Sequence, residues 1–305
     1  MKLLFAPIQG QTDHIYRQAH HRLMGGVDEY FTPFVRWERE GIRNKDLREV
    51  DPQNNKDIPV TPQIIMKDRD EMCYLCDQLQ DMGWNRIDLN MGCPFPLQTH
   101  AGRGAGLLAE TDRIEHIVLE IQNRKEVQFS VKMRSGMTTE DEGMRLVPML
   151  NEAGLRHLTL HPRLGKDQYK GSVSKAFFEE FHKAYKGNLI WNGDLKTRHD
   201  IHAIEDEFPE ISGVMIGRGL LERPTLCQEY KNDAELPDEE RKSRLLALHD
   251  EIFQYALTHL QGESQILSRM QEFWNPLEKV LDKKIYKRLT KCGNLKNYSN
   301  TINLI

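Results

Sequence analysis

The sequence predicts an α/β fold, a closed (β/α)8 TIM barrel followed by a small all-helical domain. Eight short apolar runs suited to buried strands recur with helical stretches between them, which is typical of βα units and not of hairpins. After Tyr230 this alternation stops, and an acidic connector leads into helical periodicity alone. We therefore expect a barrel domain over residues 1–235 and a helical domain over residues 236–305.

The predicted strands and helices alternate through the barrel. The strands cover residues 2–6, 29–32, 61–65, 86–89, 128–132, 157–160, 189–191 and 213–216. The helices, several opened by Asp or Ser and closed by glycine, cover residues 13–24, 69–82, 112–124, 141–153, 174–185 and 198–206. Eight units favour a closed barrel over an open doubly wound sheet, which more often has five or six strands and a glycine fingerprint. A barrel carries its chemistry in the loops after the strands.

Two amphipathic stretches, residues 239–260 and 263–281, predict the helices of the second domain. The end of the chain is basic: residues 269–305 carry eight basic and three acidic side chains, a charge of +5, whereas the whole chain carries −4. Such a cationic end predicts a nucleic-acid contact, and a merely solvated charged face is the alternative.

The composition excludes several classes of protein. Apolar residues make up 39% of the chain, but no apolar run approaches the ~20 residues of a membrane-spanning helix, and the N-terminus lacks a signal-peptide pattern. The five cysteines form an odd set without a disulfide-framework spacing. Cys73 and Cys76 lack a second pair of zinc ligands, and the histidines show no ligand spacing. We expect a cytoplasmic, monomeric protein with free thiols and no metal.

The segment after the fourth strand is the most informative one. Cys93 lies there in a Gly-Cys-Pro loop, where a thiol can donate or accept a proton, although a buried structural cysteine is the alternative. The glycine-rich stretch 102–106 does not follow a first strand, which argues against a Rossmann site. We expect these glycines to let the backbone pass close to a ligand.

Other candidate residues are predicted at the ends of the later strands. Lys132 ends the fifth strand, where an unpaired interior ammonium is hard to explain by stability alone. His161 ends the sixth strand on the same rim, although alone it could be a hydrogen-bonded core histidine. The last two strands run into glycine-containing loops, which in barrels often bind a phosphate: Asn192-Gly193-Asp194 and Gly217-Arg218-Gly219.

Taken in order, these residues resemble the tRNA-dihydrouridine synthase family. The resemblance covers nearly the whole barrel. Seven motifs carry it: Ala6-Pro7-Ile8-Gln9-Gly10-Gln11-Thr12-Asp13, Gln63, Asn90-Met91-Gly92-Cys93-Pro94, Val131-Lys132-Met133-Arg134-Ser135-Gly136, His161-Pro162-Arg163, Asn192-Gly193-Asp194 and Gly213-Val214-Met215-Ile216-Gly217-Arg218-Gly219.

The resemblance implies bound FMN, NADPH as electron donor, and reduction of the C5–C6 double bond of a uridine in tRNA. It implies that Cys93 is the general acid that protonates C5, and that Lys132 lies near the isoalloxazine and offsets negative charge. It further implies flavin contacts from Pro7, Ile8, Gln9, Gln63 and His161, and contacts to the phosphate end from Asn192, Gly193, Asp194, Gly217 and Arg218.

Two further segments are similar to the C type of the family, which is associated with U16: Phe34-Val35-Arg36 and Ser268-Arg269-Met270-Gln271-Glu272-Phe273-Trp274. The family's His-Gly-Arg-Thr is His161-Pro162-Arg163-Leu164 here, a departure that affects contacts around strand six. We expect tRNA contacts from six basic residues: Arg36, Arg269, Lys283, Lys284, Lys287 and Arg288. Two other hypotheses remain open at this point, a flavin barrel that acts on a free pyrimidine and a non-catalytic RNA-binding flavin barrel.

Overall fold

A computed structural model describes residues 1–305 and contains one closed parallel barrel. Its strands are β1 (Lys2–Phe5), β2 (Glu29–Phe31), β5 (Val60–Thr61), β6 (Gln63–Ile64), β7 (Arg86–Met91), β8 (Gln128–Gly136), β9 (Leu158–Leu164), β10 (Leu189–Asn192) and β11 (Gly213–Ile216). A small antiparallel hairpin, β3 (Trp37–Glu38) and β4 (Gly41–Ile42), follows β2. The sequence did not predict this hairpin.

The barrel has eight strands because β5 and β6 are two halves of one strand. They are the edges of the sheet order β5-β2-β1-β11-β10-β9-β8-β7-β6, and only Pro62 separates them. Proline has no N–H to give to a ladder, so the strand is interrupted there. The main chain nevertheless bridges both sides, since Thr32 N–H donates to Thr61 O and Asp88 N–H donates to Pro62 O. The predicted TIM barrel is confirmed.

The helices surround the barrel and then form the C-terminal region. In chain order they are α1 (His14–Leu23), α2 (Asn44–Val50), α3 (Arg69–Asp81), α4 (Pro96–Thr99), α5 (Thr111–Asn123), α6 (Asp141–Glu152), α7 (Lys175–Ala184), α8 (Arg198–Glu207), α9 (Arg218–Glu222), α10 (Leu226–Lys231), α11 (Asp238–His259), α12 (Glu263–Trp274), α13 (Lys283–Thr290) and α14 (Leu295–Ile302). Side-chain caps set several starts. Asp13 accepts from Tyr16 N–H, and Thr197 forms a capping box with Asp200.

Three predicted boundaries are wrong. Strands β8 and β9 continue to Gly136 and Leu164, so Lys132 and His161 lie within strands and not at their ends. Their pairing continues through Arg134 opposite His161, and both of these polar residues are buried. The helix predicted over 263–281 ends at Trp274, because Pro276 follows within a 3-10 turn.

The helical region packs on the barrel through one continuous apolar core. A cluster of 61 buried residues includes Leu3 of β1 as well as Ile252 of α11 and Met270 of α12. The Tyr298 hydroxyl joins the last helices to this core, since it accepts from Trp274 Nε1 at 2.8 Å and bonds His249 Nε2 at 2.7 Å. The domain boundary at 235/236 stays a prediction. None of the helices combines the length and apolar character that a bilayer crossing requires.

Candidate active site

A cavity of about 700 Å³ opens among the loops that follow the barrel strands. This volume suits a ligand of cofactor size. Eleven of the twelve residues predicted to bind the cofactor or to act in catalysis line it: Pro7, Ile8, Gln9, Cys93, Lys132, His161, Asn192, Gly193, Asp194, Gly217 and Arg218. The structure does not bring Gln63 to the cavity, because its side chain is fully buried behind Asn90.

The thiol of Cys93 is half-buried in the cavity wall and its loop is fixed from several sides. Cys93 N–H donates to Asn90 Oδ1 at 2.9 Å, and Cys93 O accepts from Ala105 N–H at 3.0 Å. Burial raises the pKa of the Cys93 thiol above its ordinary value, although the Phe95 N–H and the Arg134 cation oppose that rise. The group therefore stays a neutral thiol near pH 7 and can act as a proton donor.

The glycine-rich stretch packs on the Cys93 loop, and none of residues 102–106 lines the cavity. Gly104 has φ +58°, and a Cβ there would lie 2.6 Å from Cys93 O and 2.9 Å from Cys93 Cβ. A Cβ on Gly106 would lie 2.5 Å from Thr99 O. These glycines allow the two segments after β7 to lie against each other.

A buried chain of hydrogen bonds leads from the barrel interior to the Cys93 loop. Gln63 Nε2 donates to Asp88 Oδ2 at 2.7 Å, and Asn90 Nδ2 donates to Gln63 Oε1 at 2.7 Å. Asn90 Oδ1 then accepts from the N–H groups of Gly92 and Cys93. Each amide has only one orientation that satisfies both neighbours, so the Asp88 carboxylate sets the direction of the whole chain. The sequence could not indicate this chain, although four of its members lie in the quoted motifs.

Lys132 presents a half-buried cation to the cavity. Its Nζ donates to Asn192 Oδ1 at 2.8 Å, and Asn192 Nδ2 donates to Met215 O at 2.6 Å. Burial, and then the neighbouring Arg134 cation, lower the pKa of Lys132 to about 8. Burial likewise lowers the pKa of Arg134 to about 10, and its guanidinium donates to the carbonyls of Gly92 and Leu164. These two adjacent cations, the half-buried Lys132 and the buried Arg134, are bonded to neutral oxygens and favour an anionic ligand.

His161 is a neutral acceptor in this site. Burial, followed by the charges of Lys132 and Arg134, lowers the pKa of His161 well below its ordinary value. Arg163 Nη1 lies 3.2 Å from His161 Nε2, and because a guanidinium only donates, the imidazole proton is on Nδ1. Arg163 also bonds the Asp194 carboxylate at 2.6 Å, and Arg218 approaches its other oxygen at 3.3 Å. The Asp194 carboxylate thus positions two guanidinium groups, and the predicted contact of Asp194 with the phosphate end stays a prediction.

The lining of the cavity is strongly basic in an acidic protein. One carboxylate, that of Asp194, faces seven basic side chains: Arg36, Arg43, Lys45, Lys132, Arg134, Lys196 and Arg218. Sequence analysis missed this concentration because the seven residues are scattered over the barrel, and it assigned no role to Arg43, Lys45, Arg134 or Lys196. Arg36 lies at this mouth, where its guanidinium pairs with Glu38 at 2.6 Å, and its predicted tRNA contact stays a prediction. An anionic ligand fits the cavity.

The predicted basic residues of the helical region fall into two environments. Lys283, Lys284, Lys287 and Arg288 are exposed on α13. Arg269 differs, because its side chain is only 14% exposed and pairs with Asp13 at 2.8 Å. That ion pair joins α12 to the cap of α1, so the structure gives Arg269 a contact between the barrel and the helical region. Its predicted RNA contact stays a prediction.

The structure brings no group of three or more His, Cys, Asp or Glu side chains into an arrangement that could hold a metal ion. Cys73 and Cys76 lie on α3 as free thiols, and Cys76 is buried among the apolar residues of the core. Burial raises the pKa of Cys76 to about 12. Neither cysteine lies in the wall of the cavity.

A closed barrel with a basic cavity over the strand ends, lined by a thiol and a half-buried lysine, defines a TIM-barrel enzyme. Solved structures with this fold include morphinone reductase in complex with tetrahydroNAD, with a TM-score of 0.53 at 11% identity over 79% of this chain and 90% of that one. A variant of NCR from Zymomonas mobilis has a TM-score of 0.52 at 14% identity over 77% and 88%. At these identities the likeness shows the fold.

The family follows from the sequence as a whole. The model of the family described as dihydrouridine synthase (Dus) matches residues 4–303, and the chain belongs to this family of enzymes. Relatives include a tRNA-dihydrouridine(16) synthase of Neisseria meningitidis serogroup B strain MC58, 27% identical over 91% of this chain and 86% of that protein. A tRNA-dihydrouridine synthase B of Pseudomonas aeruginosa PAO1 is 26% identical over 75% and 68%.

Proposed function

We propose that the chain uses FMN and NADPH to reduce one uridine of tRNA, U16, to 5,6-dihydrouridine. The observation that carries the proposal is the shared cavity, in which the Cys93 thiol and the Lys132 ammonium lie among seven basic side chains and one carboxylate. Such a cavity is suited to a ligand with a flat neutral part and a negative charge. Membership of the dihydrouridine synthase family supports the same reaction.

The residues present fit a flavin mononucleotide. Ala6, Pro7, Ile8, Met215 and Ile216 supply an apolar surface for a ring, and the basic residues supply charge for a phosphate. Lys132 and Asn192 would hold the polar edge of the ring, while Arg218 and the loops at Gly193 and Gly217 would hold the phosphate end. When bound, the flavin supplies the hydride that reduces C6 of the uracil.

The protein's part in the reaction is to place and deliver a proton. Cys93 holds that proton on Sγ, since burial keeps its pKa raised and the thiol neutral. The hydrogen-bonded chain from Asp88 through Gln63 and Asn90 fixes the loop that carries the thiol. Lys132 contributes a positive charge near the reacting ring, and its pKa of about 8 leaves it mostly protonated at neutral pH.

The substrate must be turned out of its stack before it can enter the cavity, which costs a few kcal/mol. Arg36 at the mouth and the exposed face of α13 supply phosphate contacts that offset this cost. Position 16 is supported by relatives that carry it in their names, from Neisseria meningitidis and from Pseudomonas putida KT2440. We further propose that the enzyme acts as a monomer in the cytoplasm.

The test uses the full chain reconstituted with FMN, NADPH and unmodified tRNA transcripts. Mass spectrometry of the digested tRNA should find a gain of two hydrogens at U16, and a transcript with cytidine at that position should remain unchanged. Reduction at another uridine would contradict the assigned position. Reduction of free uracil but of no tRNA would overturn the proposal in favour of an enzyme that acts on a free pyrimidine.

A further inference from the structure

Two large apolar side chains stand exposed at the mouth of the cavity. Phe95 and Leu97 are each 67% exposed, and both line the cavity that holds Cys93. A third exposed ring at this cavity, Tyr169, lies against guanidinium groups, with Arg218 at 4.9 Å and Arg134 at 5.5 Å from its centroid. Phe95, in contrast, stacks on no aromatic ring and on no cation of the protein. Phe95 and Leu97 thus form an uncovered apolar edge, which we call the rim pair.

The backbone holds the rim pair in place beside the thiol. Cys93 O accepts from Ala105 N–H at 3.0 Å, and Phe95 O accepts from the N–H groups of Gln98 and Thr99 at 2.8 and 3.0 Å. The Phe95 ring therefore projects from a fixed main chain at the entrance. Phe95 lies two residues after Cys93 and lines the same cavity, so a ligand that reaches Cys93 enters close to this ring.

The charge of the surroundings selects the kind of neighbour. The same cavity mouth carries Arg36, Arg43 and Lys45, of which Arg36 and Arg43 pair with Glu38 and Asp46 and Lys45 pairs with no carboxylate. The cavity lining as a whole has seven basic side chains and one carboxylate. An apolar peptide segment would bring no negative charge to these residues. A nucleic acid brings phosphates for the cations and a flat aromatic face for the ring, which is the usual combination in single-stranded binding.

We propose that the rim pair binds a nucleobase of tRNA that flanks the uridine being reduced. This inference rests on the proposed function, because a uridine leaves its stack to reach Cys93. Its departure uncovers the faces of the neighbouring bases. Phe95 covers one such face by stacking and Leu97 supports the base edge, as apolar side chains do where proteins unstack nucleic acid. The rim pair thereby stabilises the opened RNA and does not take part in proton transfer.

The experiment measures tRNA affinity in FMN-loaded full-length variants. Phe95→Ala should raise the Kd for an unmodified transcript about tenfold, Leu97→Ser should raise it about threefold, and Phe95→Tyr should stay within about twofold of the parent because the ring is retained. Leu119, an exposed leucine on α5 outside the cavity, provides the matched control, and Leu119→Ala should leave the Kd unchanged. Reduction of the bound flavin by NADPH should be equal in all variants.

A second readout reports stacking itself. A transcript with 2-aminopurine next to the reduced uridine should have its fluorescence quenched on binding the parent and Phe95→Tyr proteins, and markedly less on binding Phe95→Ala. Equal quenching and equal Kd for Phe95→Ala and the parent would overturn the inference while leaving dihydrouridine formation by the parent intact. A parent dimer that Phe95→Ala dissociates without a change in Kd would also overturn it, because the rim pair would then be covered by a second copy of the chain.

Discussion

The cavity mouth and the α13 face are both basic, but they hold their charges in different ways. In the cavity Arg134 is buried and Lys132 is half-buried, and both are bonded to neutral oxygens and have lowered pKa values. Lys283 and Lys287 on α13 are exposed to water. A buried cation that water cannot solvate favours one well-placed anion, whereas an exposed cation interacts weakly with any anion and is screened by salt. The mouth is therefore suited to selecting the ligand, and the α13 face to adding affinity.

The largest effect should come from the thiol at the mouth. Cys93→Ala should lower tRNA reduction by about 10²–10⁴-fold, the usual contribution of a general acid, because the proton donor is removed. FMN binding and its reduction by NADPH should be retained, which stopped-flow absorbance would measure. Cys73→Ala removes a free thiol outside the cavity and should retain full activity. Wild-type tRNA reduction by Cys93→Ala would exclude Cys93 as the acid.

A smaller loss is expected from the chain of hydrogen bonds behind that thiol. Asp88→Leu leaves Gln63 Nε2 without an acceptor, so both amides can turn and the Cys93 loop loses its anchor. We expect single-turnover tRNA reduction to fall about 10²-fold, the scale of a misplaced reacting group, with flavin reduction unchanged. Asp88→Asn should restore most of the rate, because its carbonyl can accept from Gln63 and its amide can donate to Ser130.

Ser130→Ala is the matched control for this prediction. The Ser130 hydroxyl donates to the other oxygen of Asp88 at 2.5 Å, away from the chain that leads to Cys93. Its removal should affect stability more than rate. Equal losses of rate in Asp88→Asn and Asp88→Leu, with both proteins folded, would contradict a role for the orientation of the chain.

The lowered pKa of Lys132 predicts a pH dependence that the α13 face does not share. Burial favours the neutral amine, so the cation is present below pH 8 and is lost as the pH rises through about 8. The rate of flavin reduction at low NADPH should therefore fall across that range. Lys132→Arg should move the fall to higher pH, because a guanidinium keeps its charge there. If the rate of flavin reduction fell over the same pH range in Lys132→Arg and in the parent protein, the fall would belong to the titration of another group.

The smallest effect per charge is expected on α13. Replacement of its four exposed basic residues, Lys283, Lys284, Lys287 and Arg288, by serine should flatten the slope of log Kd against log salt by about three and leave flavin binding unchanged. Lys175 and Lys183 on α7 are also exposed but pair with Glu207 and Glu179, so the same change there should affect the slope little. If the slope of log Kd against log salt were the same in the α13 variant and in the parent protein, the basic residues of α13 would face solvent without contacting tRNA.

Most of the barrel could be predicted because its strands are continuous apolar runs between helix caps and glycines. The extension of β8 and β9 was missed because Arg134 and Arg163, which end an apolar run, are buried by bonds to carbonyls, a histidine and a carboxylate. The site could be predicted in outline, because the carboxyl ends of parallel strands lie together at one end of the barrel and bring the residues that follow them together. The hydrophobic periodicity of the sequence could not place Gln63 behind Asn90, because the position of the Gln63 side chain depends on its hydrogen bonds to other buried polar groups.

The structure of the FMN-loaded protein with bound tRNA tests the central claim most directly. We predict that the flavin ring lies in the 700 Å³ cavity, with the reacting uracil between that ring and Cys93 Sγ and with Lys132 Nζ beside the ring. A ring bound outside the cavity, or a uracil whose C5 is out of reach of Sγ, would contradict it.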